Sequence, residues 1–119
     1  MTKQILILDV HCLSWNKMYA GVHWAVRKKQ AEEFHTFVWA ECKRQKIKKA
    51  AIPVKIVFEI SYKNKRRHDP DNCNVKMFMD GLVMAKIIPD DNYKIVKEIS
   101  IKIVEVGKKD EVKIIIFDN

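Results

Sequence analysis

From about residue 19 to residue 46 the sequence keeps a helical period, and no other stretch of the chain holds one pattern for as long. Trp24, Ala31, Phe34, Val38 and Cys42 fall on one stripe, and Lys29, Glu32, Glu33, Thr36, Lys43 and Arg44 fall opposite. Residues three and four apart share a helix face, so this is a helix with one side to bury. It closes on Lys43-Arg44-Gln45-Lys46-Ile47-Lys48-Lys49, cations that suit the negative end of a helix dipole. Such a helix needs a second layer to pack on, and the segments around it read as strands. Residues 4–10 hold a short apolar run, Ile5-Leu6-Ile7-Leu8, followed by a turn at 13–16 with Ser14 and Asn16 as candidate caps. Pro53 opens a stretch of period two, with Val54, Ile56, Phe58, Ile60 and Tyr62 on one face and Lys55, Glu59 and Ser61 on the other.

The second half continues in short elements. Residues 63–68 form a polar, basic loop. Asp69-Pro70 is a favourable helix start, because Asp can cap and Pro is tolerated at the first helical position. A second helix is predicted from there to about Lys86, with Val75, Phe78, Met79, Leu82 and Ala85 on its core face. After a connection over 87–92, strands are predicted at about 93–106 and 112–117, joined as a hairpin through Gly107-Lys108-Lys109-Asp110. The order β-α-β-α-β-β implies an α+β (mixed α/β) fold: one small domain over residues 1–119, its roughly four-stranded mixed sheet packed against two helices. At 48% hydrophobic and 32% charged residues, the 119-residue chain has globular composition and room for one core.

Cys12, Cys42 and Cys73 are odd in number, widely spaced and without a C-x-x-C pair, which argues against a disulfide framework and a structural zinc site. The expectation is a reducing cytoplasm. Neither a signal peptide nor a membrane span is expected, because the apolar stretch after Met1-Thr2-Lys3-Gln4 is short. With 23 Lys+Arg against 15 Asp+Glu, the formal net charge of +8 favours an anionic partner, although lysine enrichment also serves solubility or thermal adaptation.

Against that basic background, carboxylates cluster at Arg66-Arg67-His68-Asp69-Pro70-Asp71-Asn72 and again at Pro89-Asp90-Asp91. A protein that only binds a polyanion gains nothing from acids beside its arginines. One that holds a divalent cation against a phosphate does, since hard cations such as Mg²⁺ take carboxylate oxygens and polarise the phosphoryl group. The combination points to metal-dependent cleavage of nucleic acid. A continuous second helix of about fifteen residues would be roughly 22 Å long. Its ends can then serve one metal only if the connection after Ala85 folds back, or if the strand near Asp91 lies beside the one ending at Tyr62, the second being the natural arrangement for adjacent strands of a sheet. Converging carboxylates would raise one another's pKa, a repulsion that a divalent ion relieves. Singly, each acid also reads as a cap or turn residue. Lys76 and Asp80, four apart, read as a surface ion pair. Lys63, Lys65, Arg66 and Arg67 adjoin the acids and are the better candidates for phosphate contact than the cations of 43–49. His68 could ligate a metal but reads rather as a partly exposed loop residue, and His11, His23 and His35 have no zinc-like spacing with the cysteines. Trp15, Trp24 and Trp39 read as core or interface residues.

Taken together, Arg67-His68-Asp69-Pro70-Asp71-Asn72, Lys76, Asp80-Gly81-Leu82 and Asp90-Asp91 resemble the signature of the RusA family of Holliday junction resolvases. Leu13-Ser14-Trp15-Asn16-Lys17-Met18-Tyr19 is similar to that family's opening loop, and the resemblance covers essentially the whole chain. It implies that Asp69, Asp71 and Asp91 are catalytic, metal-binding carboxylates with Asp90 beside them, that Lys76 is the catalytic lysine, and that Arg67 contacts DNA near the cut phosphate. Arg66, Lys63, Lys65, Asn72 and Asn16 would add DNA contacts. It further implies a homodimer that uses Mg²⁺, with Mn²⁺ as substitute, to nick opposed strands of a four-way junction, with no small-molecule cofactor. A bacterial or phage-encoded protein of the cytoplasm, associated with the nucleoid, is the expected setting. One departure stands out: three residues, Cys73, Asn74 and Val75, separate Asn72 from Lys76 where the family pattern has two. The extra residue can rotate Lys76 relative to Asp71. Two other functions remain compatible with the residues: a structure-tolerant DNA or RNA endonuclease, and a non-catalytic basic DNA-binding module whose acids serve as caps.

Overall fold

The period-two run after Pro53 forms strand β2 (Val54–Tyr62), buried along nearly its whole length. The other strands are β1 (Lys3–Leu8), β3 (Val96–Val106) and β4 (Glu111–Phe117), and the helices are α1 (Trp24–Arg44) and α2 (Lys76–Met84). The computed structural model describes residues 2–14 and 24–119. Trp15, Asn16, Lys17, Met18, Tyr19 and His23 lie outside the described residues, as does the side chain of Trp24. The expected helix start near residue 19 and the roles given to Asn16 fall there too.

The sheet is four-stranded and mixed, in the order β1-β4-β2-β3. Strand β4 runs antiparallel to both β1 and β2, while β2 and β3 are parallel. Its register lines up rows on one face: Leu6, Ile114, Phe58 and Ile101 in one, Leu8, Val112, Ile60 and Ile103 in the next. The helices pack on this face. Phe78 of α2 lies 6.0 Å from the Phe58 ring and meets Phe34 of α1 edge-on at 4.9 Å, while Val38, Cys42 and Leu82 are buried beside them. The expected α+β architecture, order and two-helix layer are therefore those of the structure. Trp39 is 39% exposed with the Lys43 ammonium over its ring, so it belongs to the surface of α1 and not to the core.

Two local expectations are corrected. The last two strands are not a hairpin. At Gly107, whose φ is +90° and whose amide donates to the Tyr62 carbonyl, the chain crosses the end of β2, and β4 inserts between β1 and β2. The physical reason is burial. Val112, Ile114 and Ile116 are all buried, and β4 carries them in the middle of the sheet. Strand β3, carrying exposed Lys97, Glu98 and Lys102, suits the sheet edge, where charge discourages further pairing.

The second helix is also not continuous from Asp69. Pro70–Asn72 is a single 3₁₀ turn, Cys73 is extended, and α2 begins at Lys76. The break is held from outside: Ser14 bridges Cys73, and the Asn74 amide donates to the Leu13 carbonyl at 2.9 Å. The buried Asn74 side chain accepts the Lys76 amide at 3.2 Å and so starts α2. The three residues between Asn72 and Lys76 form this link.

Gly81 is where α2 comes closest to α1: a Cβ there would lie 2.7 Å from Val38 Cβ and Cγ1. Gly81→Ala in an unobstructed helix would stabilise by about 0.5–1 kcal/mol. Here overpacking is expected to dominate and cost about 1–3 kcal/mol, read as a fall in Tm. A rise in Tm would mean that the helices do not touch at this point. No helix among the described residues is long and apolar enough to cross a membrane.

Candidate active site

The loop after β2 is anchored at three points. The His68 ring stacks on Tyr62 at 3.6 Å with planes 5° apart, and its Nε2 lies 2.7 Å from Asn64 Oδ1. That same oxygen accepts the Arg66 amide, so Asn64 folds the loop on itself. Asp110 accepts the Lys63 amide and pairs with His11 Nδ1, both at 3.0 Å; the first of these bonds does most to hold its carboxyl below the usual range. So tethered, the loop leaves Lys63, Lys65, Arg66 and Arg67 exposed, with the Arg67 side chain 87% accessible. Arg66, Arg67, Asn72 and Asp69 line a cleft of about 190 Å³ whose inner wall includes Cys12 and Cys73. His68 is therefore a half-buried structural residue, as its sequence context suggested.

The inner wall is a set of coupled donors. Tyr62 Oη lies 3.3 Å from Cys73 Sγ, and Cys12 lines the same cleft wall. The Cys12 thiol foremost, then the Tyr62 hydroxyl, pulls the Cys73 thiol below its ordinary value against the opposing effect of burial. Cys12 is pushed up by the same contact and Tyr62 by burial, so these two keep their protons. Sequence spacing carried no signal for this cluster, since sixty residues of intervening fold bring its members together.

The four carboxylates occupy four distinct settings. Asp69 stands at the start of the 3₁₀ turn in an extended conformation but makes no side-chain cap; its carboxylate accepts Arg67 Nε at 3.2 Å. Asp71 is exposed and makes no side-chain hydrogen bond or ion pair among the described residues. Asp90 is engaged locally, one oxygen accepting the Asp91 amide at 2.7 Å and the other the Asn92 side chain at 3.2 Å. That is turn chemistry, and it leaves Asp90 the least available of the four.

Asp91 is brought back to the start of α2. Lys86 takes a left-handed φ of 61° and the Ile87 amide bonds the Leu82 carbonyl, so the chain reverses at the end of the helix. With α2 only nine residues long, roughly 13 Å, the returning segment reaches Lys76, whose Nζ lies 2.7 Å from Asp91 Oδ2. The fold-back after Ala85 thus returns Asp91 to Lys76 at the start of α2. The expected adjacency of strands does not do this, because β3 runs parallel to β2 and begins beside Val54, not beside Tyr62.

Lys76 also contacts Asp80 Oδ1 at 3.0 Å, and the other Asp80 oxygen lies 3.8 Å from His35 Nε2 on α1. The ion pair expected from i, i+4 spacing is therefore present, with a second acid added. Asp91 first, then Asp80, pushes Lys76 up to about 12. Lys76 holds Asp91 below the usual carboxylate range in turn. A lysine in the first turn of a helix opposes the helix dipole by about 0.3–1 kcal/mol, so the two acids offset a placement that local propensity disfavours.

The Asp91 contribution to stability is present above the ordinary carboxylate pKa and lost as pH falls through the depressed value. The Lys76 contribution is present below the ordinary lysine value and lost as pH rises through about 12. Since the Lys76 side chain is 52% exposed, the pair is worth no more than about 1 kcal/mol. Asp91→Asn is expected to bring the Lys76 titration down towards an ordinary lysine, followed by side-chain NMR. An unchanged titration would mean the pair is not formed in solution.

Exposed carboxylate oxygens suit a hard divalent ion, and Asp69 and Asp71 are uncommitted to capping. Among the described residues, however, no three His, Cys, Asp or Glu side chains are gathered to hold one, and Asp91 has an ammonium against it instead. Asp69 is paired with Arg67 and Asp91 with Lys76, so among the described residues Asp71 is the free carboxylate of the set, and an ion would draw on the other two only by displacing those cations. Compared with protein-family models and with curated proteins, the chain has no match.

Proposed function

We propose that the chain is a metal-dependent endonuclease of the RusA kind, a homodimer that resolves four-way DNA junctions by paired, symmetric phosphodiester hydrolysis in recombination and repair. The observation that carries this reading is the meeting of Lys76 and Asp91 at the start of α2, just after a turn whose Asp69 and Asp71 carboxylates are not spent on capping. Asp69 and Asp71, joined by Asp91, would hold Mg²⁺ or Mn²⁺, with Asp90 as a weaker donor. Such an ion supplies Lewis acidity and an activated water.

The chain's own groups do the rest. Lys63, Lys65, Arg66 and Arg67 hold phosphates along an exposed, tethered loop, and Asn72 adds an amide where the cleft meets the turn. Asn16 is assigned to DNA on resemblance alone. Lys76, held at about 12, cannot take a proton from water near neutrality. Its role is to balance negative charge as it builds on the phosphate. A two-fold homodimer would match the two equivalent strands of a junction. Working on DNA, it would act at the nucleoid, in the cytoplasm of a bacterium or a phage-infected cell.

One observation favours a different reading. Lys76 already neutralises Asp91, as it would in a non-catalytic DNA-binding module. Junction, flap, duplex and single-stranded substrates, each with Mg²⁺, Mn²⁺ or chelator, separate the possibilities. The resolvase reading predicts metal-dependent cleavage of the junction alone. Cleavage across the panel would indicate a structure-tolerant endonuclease, and salt-dependent binding indifferent to chelator, without cleavage, the binding module. Arg67→Ala is expected to weaken binding to all DNA alike and reduce the salt slope by about one. A loss confined to one sequence would assign Arg67 to base reading.

A further inference from the structure

We propose that Cys12 and Cys73 form a reversible disulfide that couples thiol oxidation to the turn carrying Asp69 and Asp71. Both cysteines line the one cleft and their side chains interact there, so a water-sized oxidant can reach two residues that are otherwise only 1% and 3% exposed. The segments bearing them are already joined by the Ser14–Cys73 bridge and the Asn74-to-Leu13 hydrogen bond. Cys12 stands diagonally across that bridge. Bringing the two sulfurs to the roughly 2 Å of an S–S bond therefore draws one segment along the other. Cys73 transmits the pull, since its amide donates to the Pro70 carbonyl at 3.2 Å and its sulfur lies 3.6 Å from the Asp69 carbonyl. The third cysteine, Cys42, lies on α1 and lines a different cleft, which makes it an internal control.

The chemistry balances with hydrogen peroxide as oxidant. One sulfur attacks a peroxide oxygen; an S–O bond forms, the O–O bond breaks, and the thiol proton leaves with the other oxygen as water. The second sulfur then attacks the first, the S–S bond forms, the S–O bond breaks, and the remaining thiol proton leaves in a second water. Two thiols are oxidised and one peroxide is reduced. A dithiol reductant reverses the change by exchange. In a reducing compartment such a bond is transient, as sensing disulfides are.

The crosslink is independent of the proposed function; an effect on cleavage would rest on that reading. The test treats the reduced full chain with hydrogen peroxide, alkylates the remaining thiols and maps the peptides. The expected result is a loss of about 2 Da per chain, a Cys12–Cys73 crosslinked peptide and alkylated Cys42, all reversed by dithiothreitol. Cys42→Ser should crosslink as the wild type does and Cys12→Ser should not. In the oxidised protein the amide NMR signals of Asn72 and Lys76 should shift. Free alkylation of both thiols after peroxide, or pairing that involves Cys42, would overturn the proposal. So would a crosslink that leaves those amides unmoved, because the coupling would then be absent.

Discussion

Asp71→Asn is expected to lower phosphodiester cleavage by at least about 10³-fold while leaving DNA affinity within a few-fold of wild type. Asp71 is the acid with fewest structural obligations: exposed, unpaired among the described residues, and not needed to cap the turn it sits in. Removing its charge should cost little stability, since surface substitutions away from packed or paired features fall within about 0.5 kcal/mol. The amide keeps the shape and loses the anionic oxygen that a hard cation requires. A large kinetic loss with an unchanged Tm would separate a ligand from a turn residue, and single-turnover cleavage together with thermal melting reads both. A variant that cuts normally would remove Asp71 from the site.

Lys76→Gln is expected to reduce cleavage by about 10²–10³-fold, chiefly in kcat, as the loss of one well-placed donor to transition-state charge typically does. Gln keeps a polar side chain, one bond shorter than that of Lys, but leaves Asp80 and Asp91 facing each other without the cation that now lies 3.0 and 2.7 Å from them. Asp91, now held low chiefly by Lys76, should then titrate higher. The pH profile distinguishes the possible roles. A lysine that only balances charge leaves the shape of the profile near neutrality unchanged, while a lysine acting as general base would remove a limb from it.

Legibility in the sequence followed how local the cause of each feature is. Helix α1 and strand β2 were readable because their apolar periods arise from their own residues, Val38 and Cys42 in one, Ile56, Phe58 and Ile60 in the other. The pairing of β4 was not. Gly107 to Asp110 has the composition of a hairpin turn, and nothing nearby says that β4 must be covered on both edges. The break before α2 was hidden for a similar reason: Asp69-Pro70 is a good local helix start, but Leu13 and Ser14 hold Cys73 and Asn74 out of it.

The candidate site divides the same way. The Lys76–Asp80 pair follows from helix spacing, and the two acidic clusters were plain in composition. That Asp91 returns to Lys76 depends on the reversal at Lys86, and that Asp90 serves its own turn depends on the rotamer it takes there. The wall formed by Cys12, Cys73 and Tyr62 left no trace in sequence, because its members come from a loop, a strand end and a turn that only the tertiary fold assembles.

The central claim is that these residues make a junction-resolving nuclease. Its most direct test is a synthetic four-way junction, end-labelled on each strand in turn and incubated with the wild-type protein in Mg²⁺ beside a linear duplex of the same sequence. The account predicts paired nicks at symmetric positions in two opposed strands of the junction, and an intact duplex. Tight binding of the junction with no nick in Mg²⁺ or Mn²⁺ would contradict it.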